Sequence, residues 1–139
     1  MKFEKISFSV IGGDTRQVKL CNHLIQHDYP VSMFGFSNIQ VNSSVKQCKS
    51  LEEAINDSDI IIGPIPCSQN DKDLFTMYYD KKIKVEDVLK RMNKHQIFMA
   101  GRLTEKIQKN LTEYDITYID LLERDDMAIR NAIPTTFLF

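Results

Sequence analysis

The sequence predicts an α/β domain in which a mostly parallel, five-stranded sheet lies between layers of helices. Three observations predict it. Short apolar runs suit strands buried on both faces, segments of helical period alternate with them, and turn or capping residues mark the junctions.

The first run, Ile6 to Ile11, carries Phe8, Val10 and Ile11 and stops at Gly12-Gly13. From Asp14 the period changes. Val18, Leu20, Cys21, Leu24 and Ile25 share one side of a helical wheel, with Lys19, Asn22, His23 and Gln26 opposite. Asp14 suits an N-cap, and the Tyr29-Pro30 step stops the helix. Val31 to Phe36 is the second strand, followed by a polar stretch around Asn38 to Ser44.

Ser50-Leu51-Glu52-Glu53 has the form of a capping box and opens a short helix with Leu51, Ala54 and Ile55 inward. Ile60, Ile61 and Ile62 form the third strand, because β-branched side chains fit a two-sided interior. Pro64 to Lys82 reads as a long functional loop with a local hairpin around Tyr78 to Ile83. Val85, Val88, Leu89 and Met92 mark a helix running to about Lys94. A fourth strand spans Gln96 to Ala100, a helix Thr104 to Tyr114, and a fifth strand Thr117 to Leu121. A last helix is expected from about Glu123 to Asn131. With right-handed crossovers the simplest arrangement is the flavodoxin-like or Rossmann-like sandwich with strand order 2-1-3-4-5.

The length of 139 residues predicts one domain with one substantial core. Hydrophobic residues make up 42% and charged residues 27%, as in a globular chain. Eighteen basic residues against 19 acidic ones leave a net charge of -1, so neither nucleic acid nor an anionic membrane is an expected partner. Cys21, Cys48 and Cys67 form no C-x-x-C pair, which speaks against a zinc site and a thioredoxin-like motif. Reduced thiols, no signal-peptide pattern and no apolar run near the ~20 residues of a membrane span lead to an expected cytoplasmic protein.

In such sheets, ligands bind beyond the carboxyl ends of the strands. There the sequence places Gly12, Gly13, Asp14 and Arg16 after strand one and Gly35-Phe36-Ser37 after strand two. Pro66 and Ser68 follow strand three, Gly101 and Arg102 strand four, and Arg124 and Asp125 strand five. Helix N-termini and guanidinium groups favour anions, so these residues form a candidate site for a small anionic ligand. The same Gly-Gly also reads as a mere tight turn, and Asp14 as a mere cap.

No nucleotide motif accompanies them. A G-x-G-x-x-G fingerprint needs a third glycine where Gln17 and Val18 stand, and no G-x-x-x-x-G-K-[ST] loop occurs. No cofactor is therefore expected in this chain. His23 and His27 have an i, i+4 spacing that can hold a metal, but no third ligand is nominated, and exposed bystanders are the better reading. His95 reads as structural, and Cys67 lacks a partner for nucleophilic work. Glu123, Asp125 and Asp126 suit either acid–base work or the first turn of a helix. A receiver domain would need an acceptor Asp where Gly63-Pro64 stands and a Lys where Leu122-Glu123 stands.

Two stretches carry a family likeness. Val10-Ile11-Gly12-Gly13-Asp14-Thr15-Arg16-Gln17, together with the long run from Glu123-Arg124-Asp125-Asp126 to Asn131-Ala132-Ile133-Pro134-Thr135, resembles the N-terminal domain of the dipicolinate synthase A subunit. Ile62-Gly63-Pro64-Ile65-Pro66 is compatible with it. The resemblance implies a flavodoxin-like domain of an oxidoreductase that works with a flavoprotein-like B subunit. The product is dipicolinic acid, the pyridine dicarboxylate of bacterial spores, made from a lysine-pathway intermediate. It also implies a second, Rossmann domain for NADP, expected to be absent here because the chain stops soon after Pro134-Thr135. A dicarboxylate substrate, the B subunit and a second copy of the chain are the partners it suggests. Gly12, Gly13, Asp14, Arg16, Glu123, Arg124, Asp125, Asp126, Asn131 and Pro134 match the family motifs and would take substrate-edge or interdomain roles. The expected function is a substrate-binding domain inactive by itself. The alternative is a non-enzymatic interaction module docking through Phe137, Leu138 and Phe139.

Overall fold

Alternating apolar runs and amphipathic segments produce a repeating strand–helix chain. The computed structural model describes residues 6–56 and 58–122. In order these form β1 (Phe8–Ile11), α1 (Thr15–Gln26), β2 (Val31–Phe34), β3 (Lys46–Gln47) and α2 (Leu51–Asn56). Then come β4 (Ile60–Ile62), α3 (Val85–Arg91), β5 (Ile97–Ala100), α4 (Glu105–Glu113) and β6 (Thr117–Asp120). The expected last helix at Glu123–Asn131 and the tail beyond it lie outside the described residues.

All pairings among the six strands are parallel, in the order β3-β2-β1-β4-β5-β6. The expected order of five strands is thereby corrected. Those five keep their sequence, but Lys46–Gln47 adds a sixth at the edge, in register Ser32↔Lys46 and Met33↔Gln47. Both of its residues are exposed and no apolar alternation marks them, so only the pairing partner reveals this strand. The result is the Rossmann order, with its switch point between β1 and β4.

The pleat sorts the central strands onto two cores. Ile60 and Ile62 pack with Phe8 and Val10 against Val18, Cys21 and Leu24 of α1. Ile61 and Ile11 face the other way, against Ala54 and Ile55 of α2, Val88 of α3 and Ile107 and Leu111 of α4. The three consecutive isoleucines are 0–3% exposed, and burying such a side chain contributes roughly 1.5–3 kcal/mol.

Element ends differ from expectation for local reasons. α1 stops at Gln26, before the Tyr29-Pro30 step, because Asp28 turns left-handed (φ 63°) and the Tyr29 N–H donates to the Leu24 carbonyl at 3.1 Å. α3 stops at Arg91, short of Lys94, and Met92 is already extended (ψ 151°). Just beyond, the Gln96 side chain accepts from the Asn93 N–H at 3.1 Å and fixes a turn. The expected hairpin at Tyr78–Ile83 is replaced by isolated antiparallel bridges, Ser68↔Leu74 and Asp73↔Lys84. At α2 the Ser50 hydroxyl accepts from the Glu53 N–H at 3.1 Å, and the Glu53 carboxylate stands 3.6 Å from Lys46 Nζ.

Candidate functional site

The carboxyl ends of β1, β2, β4 and β5 open on one edge of the sheet, and residues 64–84 fold back across it. Leu74 and Ile83 anchor this segment, each 4% exposed in the core beneath α3. Its fastening runs through the backbone. The Gly13 N–H donates to the Phe75 carbonyl and the Gly13 carbonyl accepts from the Met77 N–H, each at 2.9 Å. Ser37 and Asn38 N–H groups donate to the Tyr78 carbonyl at 2.8 and 3.1 Å, and Cys67 N–H donates to the Gly101 carbonyl at 2.7 Å. The Thr15 and Tyr78 hydroxyls meet at 2.8 Å. One loop therefore binds the ends of β1, β2 and β5 together.

Gly13 is required at its position. At φ 115° an L side chain is strained, and an added Cβ would lie 2.3 Å from Gln17 Oε1. Gln17 is 4% exposed and folds back to accept from the Asp14 N–H at 2.7 Å, completing a capping box with Asp14. The turn's donors are thus largely taken by protein acceptors. A pyrophosphate, which needs those donors and the space Gln17 fills, does not fit this turn.

Arg16 grips Asp14 in a fork, Nε to Oδ1 and Nη2 to Oδ2, both at 3.1 Å. Its Nη2 also donates to the Ile65 carbonyl. The Arg16 hydrogen bonds hold the Asp14 carboxyl below its usual range, and Asp14 in turn raises Arg16. Pro66 follows through a cis peptide bond and is half-buried. Gly101 packs against Ile65, whose Cγ2 would lie 2.6 Å from an added Cβ. Gly12, Gly13, Asp14, Arg16, Pro66 and Gly101 are thus linked through the loop.

Ser68 turns away from them. Its hydroxyl donates to Asn70 Oδ1 at 3.1 Å inside a tight turn. Arg102 belongs to a neighbouring cluster around Asp120. Asp120 accepts from the N–H groups of Arg102 (3.2 Å), Leu103 (2.9 Å) and Leu122 (2.9 Å), and Arg102 sits at φ 55°. The Arg102 side chain is exposed and makes no ion pair among the described residues. Arg124 and Asp125 lie outside the described residues, as do Glu123 and Asp126.

Cys67 is fully buried, and burial, followed by the charges of Asp120 and Asp71, pushes its thiol up to about 12. That environment opposes a nucleophile. The His23 and His27 rings lie 4.6 Å apart, and no group of three metal-ligating side chains occurs among the described residues. No helix among those residues is long and apolar enough to cross a membrane.

Beyond the predicted residues, a cavity of about 170 Å³ opens at the ends of β2 and β3. Phe34, Gly35 and Phe36 reach it from β2, Cys48 and Lys49 from the end of β3, and Tyr79 from the loop. Sequence reading flagged Gly35-Phe36-Ser37 but missed Cys48, Lys49 and Tyr79. They become neighbours only through the β2–β3 pairing and the folded loop.

Comparison with known proteins shows the family and the fold. A family model for the N-terminal domain of the dipicolinate synthase A subunit matches residues 7–122. Over 132 residues the chain is 25% identical to the dipicolinate synthase A subunit of Bacillus subtilis (strain 168), covering 94% of this chain and 44% of the relative. The crystal structure of dipicolinate synthase, A chain, from Bacillus subtilis superposes with a TM-score of 0.77 at 24% identity, over 96% of this chain and 45% of that one. The dipicolinate synthase A subunit from Bacillus halodurans gives 0.73 at 25% identity, over 94% and 45%. An imine reductase variant from Myxococcus stipitatus, solved in complex with NAD+, shares the fold alone, with a TM-score of 0.58 at 14% identity over 84% and 40% of the two chains. The chain spans less than half the length of each of these proteins.

Proposed function

The chain belongs to the family of dipicolinate synthase A-subunit N-terminal domains, and from that premise we propose that it is the substrate-side domain of a dipicolinate-forming oxidoreductase. The ligand in this reading is a small dicarboxylate bound at the strand-end edge. The observation that carries the proposal is the pair of exposed arginines there, Arg16 in the first turn of α1 and Arg102 after β5, beside a loop that binds the strand ends together.

The two arginines differ in readiness. Arg102 has no carboxylate partner among the described residues and supplies the primary contact to one substrate carboxylate. Arg16 is already forked onto Asp14, so it takes a second carboxylate by sharing its outer nitrogen or by releasing Asp14. Pro66 and the glycines shape the surface and keep the backbone close to the ligand.

Hydride chemistry in this reading belongs to a nicotinamide bound on a separate domain, with the B subunit as the partner that completes synthesis in the sporulating cytoplasm. The domain alone binds and orients substrate without turning it over.

Calorimetric titration with dipicolinate tests the reading. Binding is expected, weakened roughly tenfold or more in Arg102→Met, since hydrogen bonds to charged groups contribute about 1.5–3 kcal/mol. No heat with the wild-type chain, either alone or mixed with the B subunit, would remove the proposal.

A further inference from the structure

The cavity at the ends of β2 and β3 adjoins the β1 turn through Gly35 and Gly12, but its chemistry differs from that of the two arginines. Its inner lining is apolar, from Met33, Phe34 and Phe36, of which Met33 and Phe36 are buried at 1% and 5% exposure. Two aromatic rings line it together. Phe34 and Tyr79 have centroids 5.5 Å apart and planes inclined at 59°. Rings so inclined can offer a guest ring a stacked contact with one and an edge contact with the other.

The polar lining comes from Ser37, Gln47 and Lys49. Lys49 is the one cationic side chain of the lining, and its ammonium makes no ion pair among the described residues. The Ser37 hydroxyl donates to the Tyr78 carbonyl at 3.3 Å, which leaves its oxygen able to accept.

Size narrows the occupant. A cavity of roughly 150 Å³ holds one benzene ring, so about 170 Å³ has room for a single six-membered ring. Charge narrows it further. One carboxylate can meet Lys49, and a second would find no further cation in the lining. We propose that this cavity is a second binding site, for a small planar aromatic monocarboxylate whose ring packs against Phe34 and Tyr79 and whose carboxylate pairs with Lys49. The site does not rest on the function proposed above, because its contacts come from Phe34, Lys49 and Tyr79, none of which takes part in the contacts assigned to Arg16 and Arg102.

Cys48 supplies a reporter, since it lines the cavity and is half-buried. The test uses the full chain, with benzoate as probe and benzamide as its uncharged counterpart. Benzoate is expected to slow iodoacetamide labelling of Cys48 and to shift the amide resonances of Gly35, Ser37, Gln47 and Lys49. Benzamide should do neither at the same concentration, and dipicolinate should not compete. Lys49→Met, which keeps the aliphatic stem, should weaken benzoate about threefold to fivefold, as suits an exposed ammonium, while the melting temperature holds. Tyr79→Leu provides the second variant and should weaken benzoate and benzamide alike. Absence of protection up to about 10 mM benzoate, equal binding of benzamide, or resonance shifts confined to the Arg102 edge would each overturn the proposal.

Discussion

Gln17 fills the space that a side chain on Gly13 would occupy, with its Oε1 2.3 Å from where that Cβ would stand. The same oxygen accepts from the Asp14 N–H and closes the capping box of α1. A backbone turn, a helix cap and a loop anchor therefore share one small volume.

Gly13→Ala should be severely destabilising, by about 2–4 kcal/mol, since it adds a clash to a positive φ. Gln17→Ala should cost about 0.5–2 kcal/mol as a lost cap. The double variant should fall short of the sum, because removing Gln17 relieves the clash while the strain at φ 115° remains. Chemical denaturation of the three proteins measures the cycle, and strict additivity would contradict the contact.

Gln96 should be the most sensitive polar residue of the core. Its Nε2 donates to the carbonyls of Ile55 at 2.6 Å and Ser58 at 2.7 Å, closing the end of α2 at 3% exposure. Gln96→Leu takes the amide donor from both carbonyls, leaving that of Ile55 with only the Ser58 N–H at 3.3 Å, and is expected to lose about 1–3 kcal/mol in urea unfolding. Unchanged stability would show that the amide adds nothing.

Asp14 predicts a pH dependence. Arg16 holds its carboxyl below the ordinary 3.8, so its contribution is fully present above that value and disappears as pH falls through the lower, folded value. Asp14→Asn keeps a competent N-cap but removes the charge. Its melting temperature should therefore lie slightly below wild type at pH 7, by no more than about 1 kcal/mol of stability because the Arg16 side chain is 57% exposed. In acid the gap should close. A gap that widened below pH 4 would reverse the assigned sign.

The three thiols should separate cleanly in reactivity. Cys21 and Cys67 are 1% and 0% exposed, and burial pushes both up to about 12, so neither presents a thiolate at neutral pH. Cys48 is half-buried and should label first. Mass spectrometry after brief iodoacetamide treatment should find one modified cysteine. Early modification of Cys67 would mean that segment 64–84 opens readily.

Much of the fold is legible in local pattern. Ile60-Ile61-Ile62 reads as a strand because both of its faces are apolar, and α1 reads from Asp14 and its 3.6-residue period. The relative order of the five expected strands follows from right-handed crossovers. The family likeness rests on linear motifs. β3 was not legible, because Lys46 and Gln47 carry no pattern and pair only through β2.

The sequence by itself determined five of the six strands, the helices between them among the described residues, and the family they resemble. Those properties depend on neighbours a few positions away. The tertiary structure alone decided that Arg16 is occupied by Asp14 and Ile65, that Thr15 meets Tyr78 and that Phe34, Lys49 and Tyr79 enclose a cavity. Arg16 and Ile65 stand 49 positions apart, and Thr15 and Tyr78 63. Contacts at such separations leave no periodic trace, since loop closure brings them together only after the sheet has assembled.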